Sequence, residues 1–170
     1  MTETICPGCG LRMPKTDKPF YHKYYNASPE CWGLYTEVLS FEYSNPVLFG
    51  QIHQLTVDTY AVQHPGGLHP DKSIDLHLVS LYLILNHNAQ PMAVPPKLQH
   101  LADVVQDWPH FPPPHRMPSF TVFDVGLSDS PEQHTKSVRE WSALVWQAWS
   151  DHHGAIASLA AKYLDIPAVR

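Results

Sequence analysis

With 170 residues, 44% of them hydrophobic and 16% charged, the chain is long enough for one core and too apolar for a disordered segment. Its formal charge of −5 comes without a lysine or arginine cluster, which excludes the electrostatic footprint of a nucleic-acid binder. The longest apolar stretch, Leu78 to Leu85, falls far short of the roughly 20 residues of a membrane span, and Met1 to Ile5 has neither a basic nor an apolar signal region, so the expectation is a soluble cytoplasmic protein.

Residues 5–27 are rich in Gly, Pro and Tyr without sustained periodicity and read as an irregular arm. Within it, Cys6-Pro7-Gly8-Cys9-Gly10 sets two thiolates on a tight turn whose glycines let backbone amides approach sulfur, as a tetrahedral zinc knuckle requires. Ser28-Pro29-Glu30 then signals a helix start, with a first helix expected from Pro29 to about Tyr43. Cys31 would be its third residue, where free amides favour a thiolate. With His22 from the arm, the set Cys6, Cys9, His22 and Cys31 would bind a structural zinc and pin the arm to the helix. Two other readings stay open: a redox pair, which normally follows a strand in a βαβ context, and cysteines without a metal.

Asn45-Pro46 repeats the start signal for a second helix that ends before Pro65-Gly66-Gly67. A third helix is expected from Lys72 to about Asn86, with Ile74, Leu78, Leu81 and Leu85 on one side, and a fourth near Pro96 to Asp107. The run Trp108 to His115 holds four prolines and must be a loop, since proline lacks the amide proton and clashes with the preceding turn. Phe120 to Val125 suggests a short extended piece. From Ser130-Pro131 a last helix could reach Leu164, bent at Gly154. The expected fold is therefore mainly α: a single-domain helical bundle over residues 1–170, its third and last helices packed together at the centre, with a zinc-knuckle arm and proline-rich loops.

The histidines suggest a second site. His53, Tyr60 and His64 share a face of the second helix, at about 100° per residue, while Asp58 lies on another. His77 lies beside the apolar stripe of the third helix and should point inward. The last helix aligns His134, Trp141, Ala148 and His152, but His134 and His152 would be about 27 Å apart, so only one could join a given metal. Asp58, His64 and His77 with His152 or His153, or alternatively His134, form the nitrogen and oxygen ligand set of a second divalent metal. A metal-free polar pocket and scattered structural histidines are the competing readings.

These segments together resemble an uncharacterised bacterial domain family. It is marked by an N-terminal CPGCG turn followed by a His and an S-P-x-C-W helix start, a central V-D-x-Y-x-x-Q-H-P-G, and a C-terminal H-x-x-x-V-x-x-W…V-W-x-A-W-x-x-H-H helix. The matching pieces are Cys6 to Gly10, His22, Ser28 to Trp32, Val57 to Gly66, His77-Leu78, His134 to Trp141 and Val145 to His153. Departures are small: Leu76 stands where a β-branched residue is expected and Ser142 where alanine is. The resemblance implies a domain of unknown function and no reaction.

Three functions fit. One is a metal-dependent enzyme whose core metal activates water, with Tyr60 or Gln63 orienting a substrate. Another is a non-catalytic, zinc-stabilised module that binds a protein partner through its proline-rich loop and tryptophans. The third is a small-molecule binder that uses the polar pocket without chemistry. No HExxH or GxSxG signature is present, which weighs against the enzyme.

Overall fold

Ser28, Asn45 and Ser130, each followed by proline, start three of the four longest helices, because their side chains accept amide protons that the first turn cannot satisfy internally. Ser28 Oγ takes the Cys31 amide at 3.2 Å, Asn45 Oδ1 that of Leu48 at 3.1 Å, and Ser130 Oγ that of Gln133 at 3.2 Å. The computed structural model describes residues 2–17 and 24–166. Its helices are α1 (Pro29–Tyr43), α2 (Pro46–Gln63), α3 (Asp71–His87), α4 (Pro95–Val104), α5 (Val122–Gly126), α6 (Pro131–Ala148) and α7 (His153–Tyr163). The fold is mainly α, and among the described residues no helix is long and apolar enough to cross a membrane.

Helix α2 occupies the centre and packs on α1, α3 and α6. That differs from the expected central pairing of the third and last helices, although α3 does contact α6 and α7. The cause is chemical. Helix α2 buries Ile52, Leu55, Tyr60 and Val62 together with the polar Thr56, Asp58, Thr59 and Gln63, so it is enclosed on several faces rather than along one stripe. Two buried tryptophans lock its end: Trp141 Nε1 donates to Gln63 Oε1 at 2.9 Å, and Trp149 Nε1 to the Val62 carbonyl at 3.1 Å.

Three further expectations are corrected. The arm is not wholly irregular, since β1 (Glu3–Ile5) and β2 (Arg12–Pro14) pair antiparallel with Thr4 opposite Met13. Where an extended piece was expected, α5 forms because Thr121 and Asp124 make a capping box. The last helix breaks at Trp149, ahead of Gly154, and restarts as α7 after a 3-10 turn over Ser150–His152. At that break the Trp146 carbonyl accepts the Trp149 amide at 3.0 Å and a second donor, His153 Nε2, at 2.9 Å.

Candidate metal centre

The tight turn after β1 is held by its backbone: the Cys6 amide donates to Leu11 O at 2.8 Å and the Gly10 amide to Cys6 O at 2.9 Å. Gly10 sits at φ 77°, a region that glycine enters without cost. This turn aims Cys6 and Cys9 at the start of α1, where the N-cap puts Cys31 on the first turn. All three thiols are free and buried.

The fourth group comes from the end of α2. His64 is the residue after the helix, with φ −120° and ψ 53°, a departure from helical geometry that Pro65 favours. Its Nδ1 lies 2.7 Å from Tyr60 O, and a carbonyl can only accept, so Nδ1 carries the proton. The Nε2 lone pair therefore faces the sulfurs, 3.3 Å from Cys31 Sγ. One ligand atom each from Cys6, Cys9, Cys31 and His64 lies within 4.8 Å of the others. Cys9 Sγ and Cys31 Sγ are 3.8 Å apart, and a tetrahedron with zinc–sulfur bonds of about 2.3 Å has edges of about 3.8 Å. The cluster could hold a metal, and it is the one such group of three or more ligands among the described residues.

Neighbours fix the ligands as outer-shell partners do in metal sites. Tyr60 stacks between Tyr35 (3.8 Å) and His64 (4.0 Å), and its hydroxyl donates to Cys31 Sγ at 3.6 Å. Asn26 donates its amide to His64 O and its Nδ2 to Pro65 O, while His69 Nδ1 donates to His64 O at 3.0 Å. Three thiols so close cannot all ionise without a cation. Hydrogen bonds from Cys31 and Cys9 hold the Cys6 thiol far below its ordinary value. The bond from Cys31 pulls the Cys9 thiol down, yet its bond to Cys6 and burial outweigh this and push it up to about 12.

Gly8 carries the close approach of the turn to α2. A Cβ there would lie 2.5 Å from Asn26 O and 2.7 Å from the His64 ring. Gly8→Ala is therefore expected to weaken metal binding about 10- to 100-fold, read by competition against a chromophoric chelator. Unchanged affinity would mean that the turn does not need to approach His64.

The other candidate residues are placed as follows. His22 lies outside the described residues. His64 joins the cysteines and not the Asp58 group. Asp58 and His77 do come together, with His77 Nδ1 donating to Asp58 Oδ1 at 2.8 Å, Gln54 Nε2 donating to the same oxygen at 2.8 Å, and the Ser80 hydroxyl to Oδ2. Burial pushes the Asp58 carboxyl up despite these donors. His152 Nε2 donates to Pro112 O at 3.0 Å, and His153 caps α6, so neither reaches Asp58. Tyr60 is buried in the ring stack, and Gln63 is fully engaged, donating to Pro118 O and Phe120 O while accepting from Trp141.

Glu42 is a residue that periodicity alone does not single out, although a carboxylate among Val38, Leu39 and Phe41 is its signal. It is fully buried and accepts from Thr56 Oγ1 (2.5 Å), His53 Nδ1 (2.7 Å) and His134 Nε2 (2.9 Å). Burial raises its pKa, but the bonds from His134, His53 and Thr56 outweigh burial and hold the carboxyl below its ordinary 4.5. Its stabilisation is thus present above that value and lost as pH falls through the lower folded value. Glu42→Gln should cost about 2 kcal/mol at pH 7 and flatten the loss of stability below about pH 4.5, both read from urea midpoints across pH. A variant with the wild-type acid profile would show that Glu42 does not carry the effect.

A family model described as a family of unknown function (DUF5946) matches residues 4–150. No curated protein and no solved structure matches the chain.

Proposed function

The chain belongs to the DUF5946 family of unknown function, and we propose that it is a zinc metalloprotein whose single domain is organised by one structural zinc on Cys6, Cys9, Cys31 and His64. The carrying observation is the His64 tautomer: with Nδ1–H given to Tyr60 O, the Nε2 lone pair faces a cluster of three sulfurs, all four ligand atoms within 4.8 Å of one another. Sulfur-rich sets of this kind suit zinc, and four protein ligands leave no position for a reacting water. The zinc therefore ties the arm to α1 and α2, and any activity lies elsewhere in the fold.

A second reading, a metal-free enzyme or small-molecule binder, is favoured by the Asp58–His77 pair. The His77 side chain is 17% exposed and lines a groove of about 500 Å³ with Lys72, Ser73, Leu76 and Leu98. Asp58 would orient the ring and leave Nε2 toward that groove.

Elemental analysis of untagged protein tests the zinc reading. One zinc per chain is expected, retained in His22→Ala and lost or greatly weakened in His64→Ala. Metal-free wild-type protein would overturn it, and the reverse pattern in the two histidine variants would overturn the ligand set.

A further inference from the structure

Helices α1, α5 and α6 enclose a second place where chemistry converges, away from the cysteines. A cleft of about 260 Å³ is lined by Leu34, Val38, Phe41, Phe123, Leu127 and His134 among others. Three of these large apolar side chains stay open to solvent, Phe41 at 39%, Phe123 at 41% and Leu127 at 67%, and all three border this one cleft. Apolar surface gathered around a concavity is the usual setting of a small-molecule site.

The polar feature of the cleft is specific. His134 is only 2% exposed, and its Nε2 lies 2.9 Å from Glu42 Oε1. An ionised carboxylate accepts, so Nε2 carries the proton, and in that tautomer Nδ1 is the ring's acceptor. Among the described residues that Nδ1 has no hydrogen-bond partner, and it is not sealed from solvent. Glu42 is itself fixed by His53 and Thr56, so the imidazole cannot turn without breaking a buried network. Phe41 packs against the ring at 5.1 Å. The exposed Glu37 at the edge of the cleft disfavours anions.

We propose that this cleft binds a small neutral molecule with a ring-sized apolar body and one hydroxyl, which donates its hydrogen bond to His134 Nδ1. The size fits, since an apolar cavity of about 150 Å³ admits benzene and this cleft is larger. A monocyclic phenol meets each requirement: an apolar face for Phe41 and Phe123, a donor for the histidine, and no charge to oppose Glu37. None of Cys6, Cys9, Cys31 and His64 lines this cleft.

The test is a titration of the full-length protein as purified with p-cresol, toluene and 4-methylbenzoate, followed by calorimetry and by amide chemical shifts. p-Cresol should bind about five- to tenfold more tightly than toluene, the margin of one net hydrogen bond, with 4-methylbenzoate weakest. Shifts should map to α1, α5 and α6. His134→Phe should abolish the preference for p-cresol over toluene. Because that variant also removes one donor from Glu42, Leu127→Trp serves as a second probe: at an exposed position it should block both ligands while leaving the melting temperature unchanged. Equal binding of p-cresol and toluene to the wild type, no binding of either, shifts mapping elsewhere, or unaltered binding to Leu127→Trp would each overturn the proposal.

Discussion

Stripping the metal should release the N-terminal arm and lower the melting temperature by roughly 10 °C, and Cys31→Ser should do the same without a chelator. Little else holds the N-terminal hairpin. Strands β1 and β2 have three residues each and are half exposed, and an isolated two-stranded hairpin is marginal in water. Beyond the cluster, Thr16 donates its amide (2.8 Å) and its hydroxyl (3.3 Å) to Glu30 Oε1, and Asn26 ties the far end of the arm to His64 O and Pro65 O, each bond worth about 1 kcal/mol. Metal binding in such sites contributes folding free energy directly, and for a chain of this size about 1 kcal/mol moves the midpoint by about 2–4 °C. A loss of roughly 4 kcal/mol therefore gives the stated shift. Hydrogen exchange locates it: the Cys6 and Gly10 amides should lose protection on chelation, while amides in the middle of α2 and α6 keep theirs. A uniform loss across both regions, or none, would contradict the idea that the metal tethers the arm.

Asp75→Asn should stabilise the protein at neutral pH by up to about 4 kcal/mol. Asp75 is fully buried on α3, and among the described residues neither carboxylate oxygen finds a hydrogen-bond partner. Burial, with Asp71 adding like charge, pushes its pKa up to about 8 from 3.8. A carboxyl whose folded value is raised takes up a proton on folding, so stability falls as pH rises from about 4 to about 8, by about 1.4 kcal/mol per unit at most. Asparagine keeps the shape without the charge and removes that slope. Urea midpoints of wild type and variant should converge near pH 4 and diverge toward pH 8. Parallel curves would show that Asp75 is not protonated on folding.

Much of the helical scaffold was legible because its signals are local. Ser28-Pro29, Asn45-Pro46 and Ser130-Pro131 each place a capping oxygen beside a residue that needs no amide proton, and helices begin at all three. The prolines of residues 108–118 likewise exclude a helix wherever they stand. The capping box Thr121 to Asp124 was equally local and could have revealed α5 from its Thr-x-x-Asp spacing. The break after Ala148 could not be read this way, because it depends on Trp149 reaching the Val62 carbonyl 87 positions away.

The site divides along the same line. Three cysteines in a chain without paired thiols announce a cluster, and Cys31 on a first helical turn is readable from the cap. Its histidine partner is not, since His22 and His64 both follow the cysteine turn in sequence. What brings His64 in is Gly8, packed against its ring, together with the abrupt end of α2 at Pro65. The shared helical face of Tyr60 and His64 was visible, but its meaning needed the cysteines on the other side. Glu42, which gathers His53 and His134 from α2 and α6, shows the same limit, for its partners lie 11 and 92 positions away.

X-ray absorption at the zinc edge of the purified protein reads the donor set around the metal itself. Three sulfurs at about 2.3 Å and one nitrogen at about 2.0–2.1 Å are expected, with the nitrogen contribution lost in His64→Ala and unchanged in His22→Ala. A shell dominated by nitrogen and oxygen, or a sulfur count below three in the wild type, would contradict a centre built from Cys6, Cys9, Cys31 and His64.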